Sequence, residues 1–306
     1  MHLIYKFVFM SITCYLVTPR GFCSGVKRAI NMAHQVLKLY GKVYIIEDII
    51  HNKVFMKNML DDGIIKVSSI DDVPDGATVM FSAHGISPSI LDKAEKKELT
   101  IVDGTCPTVK AVQSAVKKSS EKKEKIIIIG NRSHPEIVAL LGYANNKDIF
   151  VVCNEIDIDL LPDLKDEQVV YFTQTTLDVF TVKKIIDSLK IKFPHIKSDT
   201  DDNICNATKD RQNAVRKIAN LVDLFIIVGS SYSSNSKRLA EVASECGAKK
   251  VIMVDSKDEI DLGIFSKNIS NIAITSGASA PEFLVEEIIE FLKTNLDITI
   301  EEFENC

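Results

Sequence analysis

TPRGFCSG, residues 18–25, is the stretch from which the fold can be worked out. Apolar residues 14–17 precede it and a helical pattern over residues 26–39 follows it, so we predict that a strand passes into a helix here. Glycine allows the backbone to approach a ligand closely, and a helix N-terminus favours negative charge. Cys23 lies in this turn, where we expect a thiolate to be stabilised and accessible to a metal.

Two later cysteines have similar surroundings. Cys106 lies in DGTCP (103–107) after apolar residues 100–102, and Cys205 lies in DNICN (202–206) ahead of a helical pattern that reaches residue 221. Roughly one hundred residues separate each cysteine from the next, which is the length of a small domain. We therefore predict that three domains each bring one cysteine to a shared centre.

The chemistry of that centre has two alternatives at this stage. Three thiolates suit a zinc ion with a histidine as fourth ligand. They equally suit three corners of a [4Fe-4S] cluster with one iron left open. The other cysteines, at positions 14, 153, 246 and 306, lie within or at the ends of predicted elements or at the terminus, and we interpret them as structural or incidental.

The composition is that of a globular protein from a reducing compartment. Of 306 residues, 46% are hydrophobic and 26% are charged, and the net charge of −5 argues against a general nucleic-acid binder. Seven cysteines without a Cys-x-x-Cys pair, and no convincing secretory signal, predict free thiols and a cytoplasmic location. No stretch is long and apolar enough to suggest a membrane span. We expect Met10 to be the real start and residues 1–9 to be a dispensable extension.

Short β-branched runs alternate with amphipathic helical patterns, which is typical of an α/β fold with parallel sheets. Strands are predicted at 14–17, 43–46, 77–81, 100–102, 125–129, 149–152, 168–172, 224–228, 250–254 and 272–275. Helices are predicted at 26–39, 52–61, 87–97, 109–123, 135–143, 177–190, 207–221, 234–246 and 281–294. We divide the chain into an N-terminal extension and three α/β domains, the last with a short tail: 1–13, 14–98, 99–198 and 199–306.

Polar motifs follow several of these strands directly. They are SAHG (82–85), GNRSHPE (130–136), TQTT (173–176), GSSYSSNS (229–236) and SGASAP (276–281). In open α/β sheets this edge binds ligands, and several helix N-termini together favour an anion such as a phosphate or diphosphate. We therefore expect His51, His84 and His134 to contact the ligand. Glu136 is either a charge answering the helix dipole or a proton donor, and spacing leaves both open.

Taken together, the motifs resemble those of the bacterial 4-hydroxy-3-methylbut-2-enyl diphosphate reductases, over roughly residues 12–294. The resemblance rests on motifs in the same order along the chain: PRGFCSG (19–25), HN (51–52), SAHG, DGTCP, SHPE (133–136), TQTT, ICNAT (204–208), SSNS (233–236) and SGASAP. Each motif alone is weak, and their joint presence is specific.

The resemblance implies a trefoil of three α/β domains with pseudo-threefold symmetry around one central [4Fe-4S] cluster. Cys23, Cys106 and Cys205 match the cluster ligands, and the fourth iron stays open. The matches to diphosphate-binding positions are His51, His84, His134, Ser233, Ser234, Asn235 and Ser279. Glu136 matches the proton donor and Thr175 the contact to the substrate hydroxyl. For Thr175 and Ser279, a helix-capping role is the alternative.

The implied reaction removes a hydroxyl from an allylic diphosphate with two electrons and two protons. It yields isopentenyl and dimethylallyl diphosphate, and a ferredoxin- or flavodoxin-type protein donates the electrons. We expect a monomer or homodimer that binds neither nucleic acid nor membrane. Two rival hypotheses are a zinc hydrolase or phosphotransferase with the same anion site, and a non-catalytic iron-sulfur sensor.

Overall fold

The computed structural model describes residues 11–198, 202–265 and 268–304, so the segment before Met10 and Cys306 lie outside it. Its strands are β1 (Ile12–Val17), β2 (Val43–Ile45), β3 (Ile64–Lys66), β4 (Thr78–Phe81), β5 (Thr100–Asp103), β6 (Lys125–Ile129), β7 (Ile149–Val152), β8 (Val169–Thr173), β9 (Leu224–Val228), β10 (Val251–Val254), β11 (Asn271–Ser276) and β12 (Ile298–Phe303). Its α-helices are α1 (Ser24–Tyr40), α2 (Lys53–Asp61), α3 (Pro88–Lys96), α4 (Pro107–Glu121), α5 (Pro135–Leu141), α6 (Glu155–Asp159), α7 (Val179–Lys192), α8 (Asn206–Ile218), α9 (Ser234–Glu245) and α10 (Glu282–Asn295).

The strands of the described residues form three sheets, with orders β10-β9-β11-β1-β12, β3-β2-β4-β5 and β7-β6-β8. Every pairing between these strands is parallel. The predicted α/β class with small parallel sheets is therefore confirmed. Within the described ranges, no helix combines the length and apolarity needed to cross a bilayer.

The chain forms two compact units. The terminal unit joins Met1–Phe22 to Asp210–Cys306 and contains the five-stranded sheet. The central unit, Cys23–Lys209, contains the other two sheets. All three cysteines of the predicted centre belong to the central unit, so the prediction that Cys205 comes from a separate domain of residues 199–306 is wrong.

The position of β1 corrects part of the sequence-based division. Residues 14–17 were assigned to the first domain, but β1 pairs with β11 and β12 in the terminal unit, where Leu16 lies opposite Ile274 and Glu302. Residues 12 and 13, assigned to the extension, are part of this strand. An apolar run predicts a buried strand but carries no information about its neighbours, because pairing is a long-range choice. The C-terminal tail forms β12, and β12, β3 and α6 were not predicted.

The sheet β7-β6-β8 shows how the continuous apolar runs are buried on both faces. On one face Ile126 and Ile128 of β6 pack in a core cluster with residues of α4 and α5. On the other face Ile127 and Ile129 pack with residues of α6 and α7. Alternate side chains of a strand point to opposite faces, so the run of four isoleucines serves both layers. The loops after β6 and β8 are thereby held on a rigid support.

Candidate active site

The predicted cysteines lie at the starts of helices. Cys23 and Cys106 are the N-cap residues of α1 and α4, and their carbonyl oxygens accept bonds from the backbone of Lys27 and Lys110. The carbonyl of Cys205 accepts the backbone N–H of Lys209 at the start of α8. Proline is well suited to the first helical position, and Pro107 follows Cys106 there. The predicted turn from chain into helix is therefore present at all three cysteines.

Gly25 leaves room for the thiols. A Cβ added at this position would lie 2.7 Å from Cys106 Sγ and 3.9 Å from Cys23 Sγ. Any larger residue would therefore press on the sulfur of Cys106 and come into contact with that of Cys23. Cys205 lies close enough to both for their charges to affect its ionisation. Within the described residues, no three His, Cys, Asp or Glu side chains are grouped closely enough to hold a single metal ion.

The ionisation of Cys205 differs from the sequence-based expectation of a stabilised thiolate. Desolvation raises the pKa of this thiol, and the charges of Cys23 and Cys106 raise it further. Hydrogen bonds from Thr208 oppose the rise, with the two side-chain atoms 3.0 Å apart. The positive end of the helix dipole therefore does not compensate for the desolvation of the Cys205 thiolate. A thiol in such surroundings ionises readily when it coordinates a metal, since the cation replaces the lost solvation.

Two backbone hydrogen bonds connect the cysteine turns to the predicted substrate residues. The N–H of Cys106 donates to the carbonyl of Ala83, next to His84, at 3.0 Å. The N–H of Cys205 donates to the carbonyl of Thr175, also at 3.0 Å. The backbone at Cys106 and Cys205 is thus joined directly to the loops that carry His84 and Thr175.

Three imidazoles, brought from the loops after β2, β4 and β6, form a cluster in the central unit. The rings of His51 and His84 are stacked with centroids 4.2 Å apart. His134 meets both edge-on, at 6.1 Å from His51 and 5.6 Å from His84. The structure therefore brings the three histidines that are expected to contact the ligand together within this unit.

Burial keeps all three imidazoles neutral, and repulsion by neighbouring imidazoles adds to its effect on His84 and His134. Desolvation lowers the pKa of His51, that of His84 well below its usual value, and that of His134 to about 4. Positive charge on His51 further lowers the pKa of both partners, and His134 lowers that of His84. His134 Nδ1 accepts the backbone N–H of Glu136 at 3.2 Å, so its Nε2 carries the proton. That N–H is available as a donor to an anion.

Glu136 and Thr175 form a buried pair. The backbone N–H of Thr175 donates to Oε1 of Glu136, and the Thr175 hydroxyl donates to Oε2, both at 2.9 Å. Glu136 is 1% exposed, and desolvation raises its pKa to about 7 although both bonds from Thr175 lower it. A carboxyl group with such a pKa holds a transferable proton near neutral pH. The structure therefore favours a proton donor over a solvent-exposed helix-dipole charge.

The remaining predicted residues lie in the terminal unit. Ser233 caps α9, which begins at Ser234, and accepts the backbone N–H of Ser236 at 3.4 Å. The Ser279 hydroxyl donates to Ser233 Oγ at 3.2 Å, and Asn235 Oδ1 accepts the backbone N–H of Ala278 at 2.9 Å. These contacts join the loops after β9 and β11, as the placement of both motifs at strand ends predicts.

Sequence reasoning missed several residues that support the site. Gln174 accepts the backbone N–H of Asn131 and donates to Thr176, so it ties the loop after β8 to the loop after β6. Ser82 contacts His84 and Glu47. Gln174 and Ser82 belong to quoted motifs, TQTT and SAHG, which is the signal that was available. Glu47 lies in no motif, and its contact depends on the pairing of β2 with β4.

Known proteins with similar sequences and structures identify the family of this chain. The family model described as LytB protein matches residues 14–293. The protein called 4-hydroxy-3-methylbut-2-enyl diphosphate reductase from Wigglesworthia glossinidia brevipalpis is 42% identical, over 91% of this chain and 89% of the relative. The protein of the same name from Glaesserella parasuis serovar 5 is also 42% identical, over 95% of this chain and 93% of the relative.

Two solved structures are also similar. One is described as the E-1-hydroxy-2-methyl-but-2-enyl-4-diphosphate reductase from Plasmodium falciparum; it has a TM-score of 0.93 and 36% identity, and covers 97% of this chain and 93% of that one. The other, an (E)-4-hydroxy-3-methyl-but-2-enyl diphosphate reductase described as the terminal enzyme of the non-mevalonate pathway, has a TM-score of 0.65 and 30% identity, with 92% and 100% covered. On these matches, which extend over nearly all of its length, the chain belongs to the LytB protein family.

Proposed function

We propose that this chain is an oxidoreductase that removes the hydroxyl group of (E)-4-hydroxy-3-methylbut-2-enyl diphosphate, as the names of its relatives indicate. Two electrons and two protons convert one substrate molecule into isopentenyl or dimethylallyl diphosphate and water. This is the last step of the non-mevalonate pathway. The observation that carries the proposal is the buried Glu136–Thr175 pair, with its pKa near 7, in the unit that also holds the three thiols and three imidazoles.

The donor set of the central unit fits an iron-sulfur cofactor. Cys23, Cys106 and Cys205 would hold one [4Fe-4S] cluster and leave one iron without a protein ligand. The space beside Gly25 supports this assignment, because it accommodates two of the sulfur atoms. When bound, the cluster supplies the electrons, which no side chain provides, and a Lewis-acidic iron. A ferredoxin- or flavodoxin-type protein would deliver the electrons.

The imidazole cluster would bind the diphosphate. Neutral His51, His84 and His134 already offer N–H donors, and a bound anion raises the pKa of each ring, so that binding strengthens with partial protonation. Ser233, Ser234, Asn235 and Ser279 would provide further donors without adding charge. Burial of the imidazoles excludes water, which strengthens each of these electrostatic contacts.

Glu136 and Thr175 would deliver the proton that lets the hydroxyl leave. Hydroxide is a poor leaving group, so the oxygen must gain a proton as the C–O bond breaks. The protonated Glu136 donates to the Thr175 hydroxyl, and Thr175 passes its own proton to the substrate oxygen. The 2.9 Å distance between Glu136 Oε2 and Thr175 Oγ1 suits such a relay.

One experiment separates this function from its rivals. Protein purified without oxygen is analysed for iron, sulfide and zinc, and then given the allylic diphosphate with a low-potential reductant. We expect a brown protein that contains iron and sulfide and forms both products. A colourless zinc protein that hydrolyses the diphosphate ester would establish the hydrolase instead. A protein with a cluster but without turnover would establish the sensor.

A further inference from the structure

The contacts of His84 extend to two residues that have been given no role so far. Ser82 Oγ lies 3.2 Å from His84 Nδ1 and accepts the backbone N–H of His84 at 3.3 Å. The same hydroxyl donates to Oε2 of Glu47 at 3.4 Å. Glu47 follows β2 and Ser82 follows β4, and these strands are paired. The strand ends thus align a carboxylate, a hydroxyl and an imidazole.

The hydrogen bonds between Glu47, Ser82 and His84 can be arranged in two ways, depending on how many protons the three side chains carry. Ser82 has one hydroxyl proton, and both Glu47 and His84 Nδ1 lie within reach of it. If Glu47 is neutral, it donates to Ser82, Ser82 donates to Nδ1, and a neutral His84 keeps its proton on Nε2. If Glu47 is ionised, Ser82 donates to Glu47 and accepts a hydrogen bond from Nδ1–H of His84. His84 then offers an Nε2–H to an anion when it is an imidazolium.

This inference rests on the proposed function, because it concerns how His84 binds the diphosphate. We propose that Glu47, acting through Ser82, is a positioning residue that holds His84 as an imidazolium while the anion is bound. The ionised Glu47 accepts a hydrogen bond from the Ser82 hydroxyl, and the Ser82 oxygen accepts one from Nδ1–H of His84. Nε2–H of the imidazolium then donates a hydrogen bond to a phosphate oxygen. Both contacts of Ser82 are longer than ideal, and catalytic hydrogen bonds commonly tighten when substrate binds.

The surrounding charges show why such support matters. Desolvation and the neighbouring His51 and His134 hold the pKa of His84 low, so the cation needs negative charge close by. Glu47 is itself influenced by its neighbours: desolvation and Asp48 raise its pKa, while Ser82 and Lys66 lower it. Asp48 forms an ion pair with Lys66 at 2.7 Å, which neutralises much of its charge. Glu47 contributes its charge through the hydroxyl that touches the imidazole.

The test measures the binding of inorganic diphosphate by calorimetry between pH 6 and 9, on iron-loaded protein kept free of oxygen. Removing Glu47 lowers the pKa of His84 in the complex, so Glu47→Gln should lose affinity at a lower pH than the parent. We expect a downward shift of about one pH unit, which makes binding at pH 8 about tenfold weaker. Turnover at saturating substrate and iron content should change little. Ser82→Ala should show the same shift, and Ser82→Thr should restore the parental profile.

Asp48→Asn is the matched control, because it removes the same charge one residue away from Glu47. Asp48 raises the pKa of His51 and its ion-pair partner Lys66 lowers it, so the two effects offset each other and we expect a change of about threefold or less. The double variant Glu47→Gln/Ser82→Ala should bind inorganic diphosphate no more weakly than either single variant, since each substitution breaks the same chain of hydrogen bonds.

An unchanged pH profile for Glu47→Gln would overturn the inference. An equal shift of the pH profile for Asp48→Asn would also overturn it, because it would indicate that charge acts through space. Additive losses of affinity in the double variant would overturn it as well. Failure of the proposed function is recognised separately, because the parent would then not reduce the allylic diphosphate, whether or not it binds inorganic diphosphate.

Discussion

Glu136 shows how much the surroundings of one side chain change its chemistry. From the sequence it is an acidic residue in the first turn of a helix, where a charge answering the dipole is an ordinary finding. In the structure it is buried, bonded twice to Thr175, and has a pKa raised to about 7. A carboxyl group with a strongly shifted pKa, in contact with a second candidate residue, is typical of a catalytic site.

Replacing Glu136 by glutamine should abolish most turnover. Glutamine keeps the shape and accepts the same bonds but has no acidic proton, and general acid catalysis contributes about 10²–10⁴-fold. We expect a loss of that order in kcat, normalised to iron content, with diphosphate binding retained. Glu155→Gln is the matched control, because Glu155 is also a first-turn acid, at the start of α6. A Glu136→Gln rate within a few-fold of the parent would return Glu136 to a structural role.

The pH dependence of kcat should report the same proton. As a donor, Glu136 must be protonated, so turnover should fall as the pH rises through its raised pKa of about 7. The bond from the Thr175 side chain lowers this pKa, so Thr175→Val should move the decline to higher pH while lowering the maximum rate. Initial rates from pH 5.5 to 9 test this, and a decline that stays in place in Thr175→Val would contradict the pairing.

His84→Ala should weaken diphosphate binding without loss of the cofactor. The ring lies stacked 4.2 Å from His51, and a hydrogen bond to a charged group contributes about 1.5–3 kcal/mol, which corresponds to about tenfold to a hundredfold in affinity. Titration with inorganic diphosphate gives the change directly. His195→Ala, in an exposed turn, is the control and should bind as the parent does. Parental affinity in His84→Ala would remove His84 from the anion site.

The helix starts explain why the cysteines occur where they do. Cys23 and Cys106 are N-cap residues, and neither side chain makes a capping hydrogen bond. Serine or aspartate would be the usual choice at such a position, because their oxygens accept the free N–H groups. A cysteine there gives up that stabilisation. Cys23 and Cys106 therefore suit metal ligation better than they suit helix capping.

Gly25→Ala tests the second residue of α1. Alanine favours a helix by about 1 kcal/mol relative to glycine, so the change would stabilise an isolated helix. Here its Cβ would meet Cys106 Sγ at 2.7 Å, and ordinary contact begins at 3.4 Å, so the atoms must separate by at least 3.4 − 2.7 = 0.7 Å. Because a displacement of about 1 Å costs about 10²-fold in rate, we expect tenfold to hundredfold slower turnover and less iron.

The neighbouring residue provides the control for this substitution. Ser24 lies at the first position of α1 and is exposed, so Ser24→Ala should leave iron content and turnover unchanged. Parental iron content in Gly25→Ala would show that the space beside Gly25 has no part in holding the cofactor.

The cofactor should stabilise the central unit as a whole, because its three ligands begin α1, α4 and α8. A ligand that binds the folded state at one hundred times its Kd adds about 2.7 kcal/mol, which raises the Tm of a domain of this size by roughly 5–10 °C. Removal of iron by a chelator without oxygen should lower the Tm by that amount. Cys23→Ser, Cys106→Ser and Cys205→Ser should each reproduce the loss, while Cys153→Ser should not. An unchanged Tm after iron removal would contradict the assignment.

Local patterns were enough to predict the α/β class, most element positions and the candidate residues. The runs at 125–129, 149–152 and 224–228 became β6, β7 and β9 with the same bounds, because continuous apolar runs between polar turns require burial on both faces. The cysteines, histidines and Glu136 were found for a similar reason. Motifs at strand ends are continuous in sequence, so their residue types and spacing can be recognised without knowing how the chain folds.

Other properties depended on contacts between distant parts of the chain. The partners of β1 are β11 and β12, more than 250 residues away, and an apolar strand carries no mark of its neighbours. The stacking of His51 on His84 and the row from Glu47 to His84 follow from the pairing of β2 with β4. The raised pKa of Glu136 arises from desolvation, which is a sum over all atoms packed around the group. Residue types are local information, whereas burial and proximity exist only once the chain has folded.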